Sequence, residues 1–199
     1  MRIGEMLIGE LFTYSDSEYI MNIMDSGMRI EKYNIIWNTL FNAEKVKIGR
    51  ILVNDVKVIE HIGSTAIPNQ YSKPIIDIFV AVYELKPSAY YIEKLGAKYR
   101  EIKTDMRNRY LIRKTENEQQ YNIHILEYDP NFHLRNEILF RDYMIRHKEE
   151  IEKYGKIKIE LNKKYGLGKE YTKKKTKYIQ EIVDRARTEK GLPKMNVWE

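Results

Sequence analysis

The residues with the most chemical potential stand in two neighbouring runs, His61-Ile62-Gly63-Ser64-Thr65 and Lys73-Pro74-Ile75-Ile76-Asp77-Ile78-Phe79. A glycine lets the backbone turn tightly and approach a ligand closely, and the amides and hydroxyls of Ser64 and Thr65 can then point at phosphate oxygens. Asp77 is an acid inside an apolar run, a placement that costs free energy unless a metal ion or hydrogen-bond donors compensate it. Together the two runs suggest a phosphate-gripping turn beside a metal-binding acid. Plainer alternatives stay open: Gly63-Ser64-Thr65 as an ordinary capped turn, and Asp77 as a buried acid hydrogen-bonded to it.

The elements that would position these residues can be read from periodicity. Ser17 can cap a short helix over 18–25. The spacing of Ile36, Trp37, Leu40, Phe41 and Ala43 predicts an amphipathic helix over 33–46. Residues 56–62 and 74–82 are near-continuous apolar runs, as expected of central strands covered on both faces. Pro87 and Gly96 bracket a helix. Strands are expected over 98–103, 109–114 and 121–128, the first two paired around a polar turn at Thr104-Asp105. Three helical stretches follow, 132–148, 149–165 and 171–190. The order implies an α+β domain with a helical C-terminal tail.

Composition narrows the class. The 199 residues suit one domain with extensions, and the hydrophobic content of 43% is that of a globular protein. No window approaches the roughly 18 apolar residues of a membrane span. With no cysteine and no leader pattern, a cytoplasmic protein without membrane association is expected. The net charge of +6 favours phosphate-bearing partners without choosing among them.

The two runs resemble the nucleotidyltransferase superfamily, in which a strand ends in Gly-Ser and the next strand bears Asp-x-Asp or Asp-x-Glu. Within it they are similar to the GrpB family, matching His61 to Pro68 and Lys73 to Asp77 nearly residue for residue. The resemblance extends through Tyr33, Asn34, Trp37, Phe41 and Glu44, then Arg109 to Lys114, Asn122 to Ile125, Phe140 to Tyr143 with Arg146, and the Tyr-x-x-x-Lys pairs Tyr154/Lys158 and Tyr171/Lys175. It implies a mixed β-sheet flanked by helices over residues 28–187, with a sheet core about 51–128 and a helical part about 131–187. Segments 1–27 and 188–199 then form an extension and a tail.

The same resemblance implies that Gly63, Ser64, Thr65, Lys73, Arg109, Arg113, Lys158 and Lys175 bind a nucleotide, and that Asp77 acts in catalysis and holds Mg²⁺. His124 is a further candidate metal ligand, with a core role as the plainer alternative. Strand alternation sends Arg109 and Arg113 to one face and Lys114 to the other, so the pair could clamp a triphosphate or simply decorate a solvated edge strand. Arg141-Asp142 reads better as an ion pair docking the tail on the sheet than as catalytic. Phe79 stands where the superfamily places its second metal acid.

Three functions are carried forward. One is Mg²⁺-dependent transfer of a nucleotidyl group from a nucleoside triphosphate to an acceptor. Another is a non-catalytic module that binds a nucleotide or related phosphorylated molecule; GrpB-like domains also occur fused to dephospho-CoA kinase, which implies a place near coenzyme A. The least favoured is a nucleic-acid grip by Lys173, Lys174, Lys175 and Lys177 with Tyr171 and Tyr178 as stacking platforms.

Overall fold

The apolar run Ile75–Val82 forms β2, buried along nearly its whole length, and the domain is layered on both of its faces. A computed structural model describes residues 29–106 and 108–197; the helix expected over 18–25 lies outside them. In chain order the elements are α1 (Ile36–Ile51), β1 (Val56–Ile62), a 3₁₀ turn (Ser64–Ala66), β2, α2 (Ser88–Leu95), β3 (Tyr99–Ile102), β4 (Arg109–Glu116) and β5 (Gln119–Glu127). A second 3₁₀ turn (Phe132–Leu134) then leads to α3 (Asn136–Arg146), α4 (Lys148–Tyr165) and α5 (Lys169–Glu189). The strands form one sheet in the order β1-β2-β5-β4-β3. β2 and β5 run parallel and the remaining neighbours antiparallel, the mixed α+β sheet expected from the sequence.

Two strand expectations change. β1 is an edge strand, and its mixed burial is that of an edge, with Lys57 exposed between partly covered neighbours. β4, for which an edge was one reading, lies between β5 and β3. The stretch 132–148 also does not form one helix. Arg135 is extended (φ −66°, ψ 142°) and pairs with Asp129 at 2.6 Å, while the fully buried Phe132 packs against Phe79 and Tyr128. Anchoring that ring on the sheet forces the chain to turn before α3 begins.

Pleating assigns the two faces. One carries Ile59, Ile76, Ile78, Val80, Ile112, Ile123 and Ile125, covered by Trp37, Phe41 and Ile48 of α1 and by Tyr91 and Leu95 of α2. The other carries Ile62, Phe79, Ala81 and Leu126 under Phe132 and Ile138. Beside this second face, α3, α4 and α5 build a core of their own from Leu139, Met144, Ile151, Tyr154, Ile182 and Val183, into which Ile67 of the β1–β2 connection inserts. Arg141 docks α3 on the edge strand by bonding Glu60 (2.7 Å) and the His61 carbonyl (2.7 Å), so the docking read for the Arg141–Asp142 pair falls to Arg141, and Asp142 on the same helix only braces it (2.8 Å). No helix among the described residues is long and apolar enough to cross a membrane.

On the α1 face, periodicity alone misplaced Ile36 and Ala43, both of which are exposed, and missed Glu44. Ile36 is 45% exposed, whereas Glu44 is 3% exposed. Glu44 is tolerated there because Lys114 of β4 meets it at 2.6 Å and the Tyr99 hydroxyl donates to it at 2.6 Å. Removing one partner from a buried pair strands the other charge, so Lys114→Ala is expected to cost about 3–5 kcal/mol. Truncating the more exposed Glu116 of the same cluster should cost far less, because solvent screens its charge. Urea unfolding of the two variants checks the difference.

Candidate functional site

The turn after β1 depends on a backbone conformation that only glycine adopts comfortably. Gly63 has φ 71° and ψ −173°, and a Cβ placed on it would sit 2.4 Å from Oδ2 of Asp77. Glycine therefore serves two purposes, the turn itself and the close approach of the Asp77 carboxylate. The turn is braced from behind. The Thr65 hydroxyl donates to the Ile75 carbonyl (2.9 Å) and so accepts from Nε2–H of His61 (3.1 Å). His61 stacks on Phe41 at 4.6 Å and stays neutral, burial and the nearby Arg141 charge pushing its pKa down to about 4. The Thr65 hydroxyl, expected to face phosphate, is instead committed to holding β1, the turn and β2 together.

On the second face of the sheet the register aligns Ile62, Asp77, Asn122 and Arg113 in one row across β1, β2, β5 and β4. Arg113 donates through Nε to Asn122 Oδ1 (3.2 Å), and Asn122 donates through Nδ2 to Asp77 Oδ1 (3.0 Å). Burial drives the Asp77 pKa up to about 6 against the opposing influence of Asn122, Lys175, Arg113 and Lys73. The acid is thus held by the Asn122 amide of the neighbouring strand and only packs on the Gly63 turn, to which the plainer reading had it hydrogen-bonded.

The helical layer supplies cations. Tyr154/Lys158 on α4 and Tyr171/Lys175 on α5 are i,i+4 pairs, the spacing that places two side chains on one helix face. In each pair the ammonium lies over its own tyrosine ring, at 4.4 Å for Lys158 and 5.4 Å for Lys175. Lys73 reaches the Tyr171 ring from the other side of the pocket, at 5.3 Å, and contacts the Leu167 carbonyl at 3.5 Å. Gly155 permits this convergence, since a Cβ there would meet the Tyr71 ring at 3.1 Å; α4 is seated closely on the β1–β2 connection at that point.

Lys73, Lys175 and Arg113 all act electrostatically on Asp77, and Lys175 acts on both Lys73 and Lys158. Burial lowers all three lysines, Lys73 to about 7; the Lys175 charge adds to this at Lys73 and Lys158, and Asp77 opposes it at Lys73 and Lys175. Lys158 is 2% exposed, and among the described residues its Nζ has no hydrogen-bond acceptor. The site is a cationic pocket floored by one carboxylate.

Of the sequence-predicted site residues, Gly63, Ser64, Lys73, Asp77, Arg113, Lys158 and Lys175 come together. Ser64 bonds to Tyr154, whose phenol burial keeps protonated. Arg109 does not join them. It shares the Arg113 face but aligns with Leu126, further along β5, and is held by Glu137 at 2.6 Å. His124 aligns with Phe79 and meets its ring edge-on at 5.7 Å; burial and Arg109 push its pKa down to about 3. Asn122 and the two tyrosine platforms acquire roles that residue type did not reveal. An amide in the apolar stretch Tyr121-Asn122-Ile123 was the available signal for the first.

Magnesium of the superfamily's kind needs several oxygen ligands. Among the described residues no group of three His, Asp or Glu side chains could hold a metal ion. Asp77 has one oxygen engaged by Asn122 and the other packed on Gly63, and the fully buried Phe79 occupies the next position on that face. These residues do not fit the ion. Nor does α5 offer the stacking surface of a nucleic-acid grip, because Tyr171 and Tyr178 are 1% and 5% exposed while Lys173, Lys174 and Lys177 project outward.

A family pattern described as GrpB protein matches residues 27–185. The chain belongs to the GrpB family. It is 30% identical to the glutamate-rich protein GrpB of Alkalihalophilus pseudofirmus, over 74% of this chain and 89% of that protein. It is also 30% identical to the UPF0157 protein YqkA of Bacillus subtilis, over 65% of this chain but only 38% of YqkA. The solved structure of GrpB from Enterococcus faecalis superposes with a TM-score of 0.71 at 25% identity, covering 82% of this chain and 99% of that one. The Tyr-x-x-x-Lys pairs through which this GrpB protein was recognised are, in three dimensions, the walls of the pocket.

Two outcomes follow from the geometry. Gly63→Ala is expected to destabilise by about 2–4 kcal/mol, combining a glycine-only conformation with the Asp77 contact; in an Asp77→Ala background the loss should be smaller, measurable as a double-mutant cycle. Lys73 has a folded-state pKa near 7 against an ordinary 10.5, so from about pH 7 to 10 the unfolded chain binds more protons and stability rises with pH. Asp77, raised from 3.8 to about 6, acts oppositely, its contribution being full below about pH 4 and lost as pH rises through 6. Lys73→Met should flatten the alkaline rise and Asp77→Asn the acidic fall, as read by denaturant midpoints across pH.

Proposed function

We propose that this protein is a binding module for a nucleoside triphosphate or closely related phosphorylated small molecule. The observation that carries the reading is the gathering of Lys73, Lys175 and Arg113 around one carboxylate packed on Gly63, with Lys158 beside Lys175. Partly desolvated ammonium groups with few acceptors repel one another, and an anion among them relieves that repulsion. Phosphate is the anion best suited to a guanidinium, several ammonium groups and a tight glycine turn. The tyrosine rings restrict the lysines, so less side-chain freedom is lost on binding.

Nucleotidyl transfer is the second reading, favoured by the packing of Gly63 on Asp77, the layout of the superfamily that the sequence resembles. The two readings assign opposite roles to Asp77. In a binding pocket its charge opposes the phosphates, so Asp77→Asn should preserve or tighten binding. In a transferase it is required, so the same change should abolish Mg²⁺-dependent pyrophosphate release.

Isothermal titration with ATP, GTP and coenzyme A tests the module. Binding by at least one is expected, weakened about 10- to 100-fold in Lys175→Met, the loss of a charge-assisted contact of about 1.5–3 kcal/mol. No binding by any of the three, or equal affinity in Lys175→Met, would sink the reading. Mg²⁺-dependent pyrophosphate release that disappears in Asp77→Asn would establish the transferase in its place.

A further inference from the structure

Resting on the phosphate site above, we propose that the ligand binds as a metal-free polyphosphate, its negative charge met by lysine and arginine where the superfamily uses divalent ions. Three independent features of the pocket point this way.

The first is the donor set. A magnesium ion carrying a triphosphate needs carboxylate oxygens directed into the pocket. Asp77 offers one carboxylate, already bonded to Asn122 through one oxygen and pressed on Gly63 with the other. The position two residues on, which shares its face of β2, carries the buried Phe79, closed over by Phe132 and His124.

The second is charge. Fully ionised, Lys73, Lys158, Lys175 and Arg113 outweigh Asp77 by three positive charges. A divalent cation introduced there meets like charge on nearly every side, whereas a di- or triphosphate chain supplies the three or four negative charges that balance the pocket. A ligand already neutralised by Mg²⁺ forfeits most of that attraction.

The third is Lys158. Its ammonium is enclosed between α4 and α5, rests on the Tyr154 ring and has no oxygen to donate to. A buried donor without an acceptor is costly, and a phosphate oxygen brought within its reach would satisfy it.

The test uses the full chain with ATP and with inorganic tripolyphosphate as probes, titrated calorimetrically in EDTA and again in excess MgCl₂ at matched ionic strength. Affinity at least 10-fold tighter in EDTA is expected for both. Tripolyphosphate binding as ATP does would mark the phosphate chain as the recognised group. Affinity that requires Mg²⁺, or is unchanged by it, overturns this inference and leaves the phosphate site standing; no binding under either condition overturns both. Lys158→Met, which replaces a buried unpaired amine by an apolar chain of similar length, provides a second arm. It should melt no lower than the wild type and lose at least 10-fold in tripolyphosphate affinity in EDTA. Retained affinity in a folded Lys158→Met protein counts against the inference.

Discussion

The contact between the Asp77 carboxylate and the α-carbon of Gly63 is the constraint from which the rest of the site follows. With no side chain at position 63, β1 can end in a backbone conformation reserved for glycine and the acid can lie against the turn. An acid so enclosed must have donors, and they are supplied along one row of the sheet by Asn122 and Arg113. The cations above it are drawn to the same carboxylate and repelled by one another. The site is a compromise between these forces, with several basic side chains gathered around a single acid.

That imbalance is supported by structure distant from it. Glu44, Lys114 and Tyr99 tie α1 to the opposite face of the sheet, and the apolar layer between α1, α2 and β2 supplies the rigidity against which the turn is formed. On the other side, α3 is clamped to β1 through Arg141 and Glu60. α4 and α5 are joined to it by the Leu139–Tyr154–Ile182 core. The helical layer therefore carries Lys158 and Lys175 on a scaffold that does not depend on the pocket for its own folding. Functional sites commonly store unfavourable contacts sustained by surrounding structure, and here the unfavourable contacts are electrostatic.

Much of the pocket was legible in the order of residues. Gly63 and Asp77 could be singled out because glycine at a strand end and an acid inside an apolar strand are each costly without a reason. The Tyr-x-x-x-Lys spacing could be read as one helix face, and the alternation of Arg109, Arg113 and Lys114 divided them correctly between the two faces of β4. What residue spacing could not convey was distance along the sheet. Arg109 and Arg113 share a face, yet register places only Arg113 beside Asn122 and leaves Arg109 with Glu137. His124 was set beside Phe79 by the same parallel register, which no local pattern specifies.

The sequence by itself determined the elements and the family, because strand and helix periodicity, glycine and proline placement and the paired runs around Gly63 and Asp77 are local or nearly local properties of the chain. Strand order, the edge position of β1 and the inward turn of the Thr65 hydroxyl were decided only in the tertiary structure. So were the surroundings of the Gly63–Asp77 pair, since Lys158 and Lys175 are carried by helices some eighty to one hundred residues away in the chain. Charge acts through space and falls with distance, so the electrostatics of this site were set when α5 brought Lys175 to Asp77 and α4 brought Lys158 to Lys175.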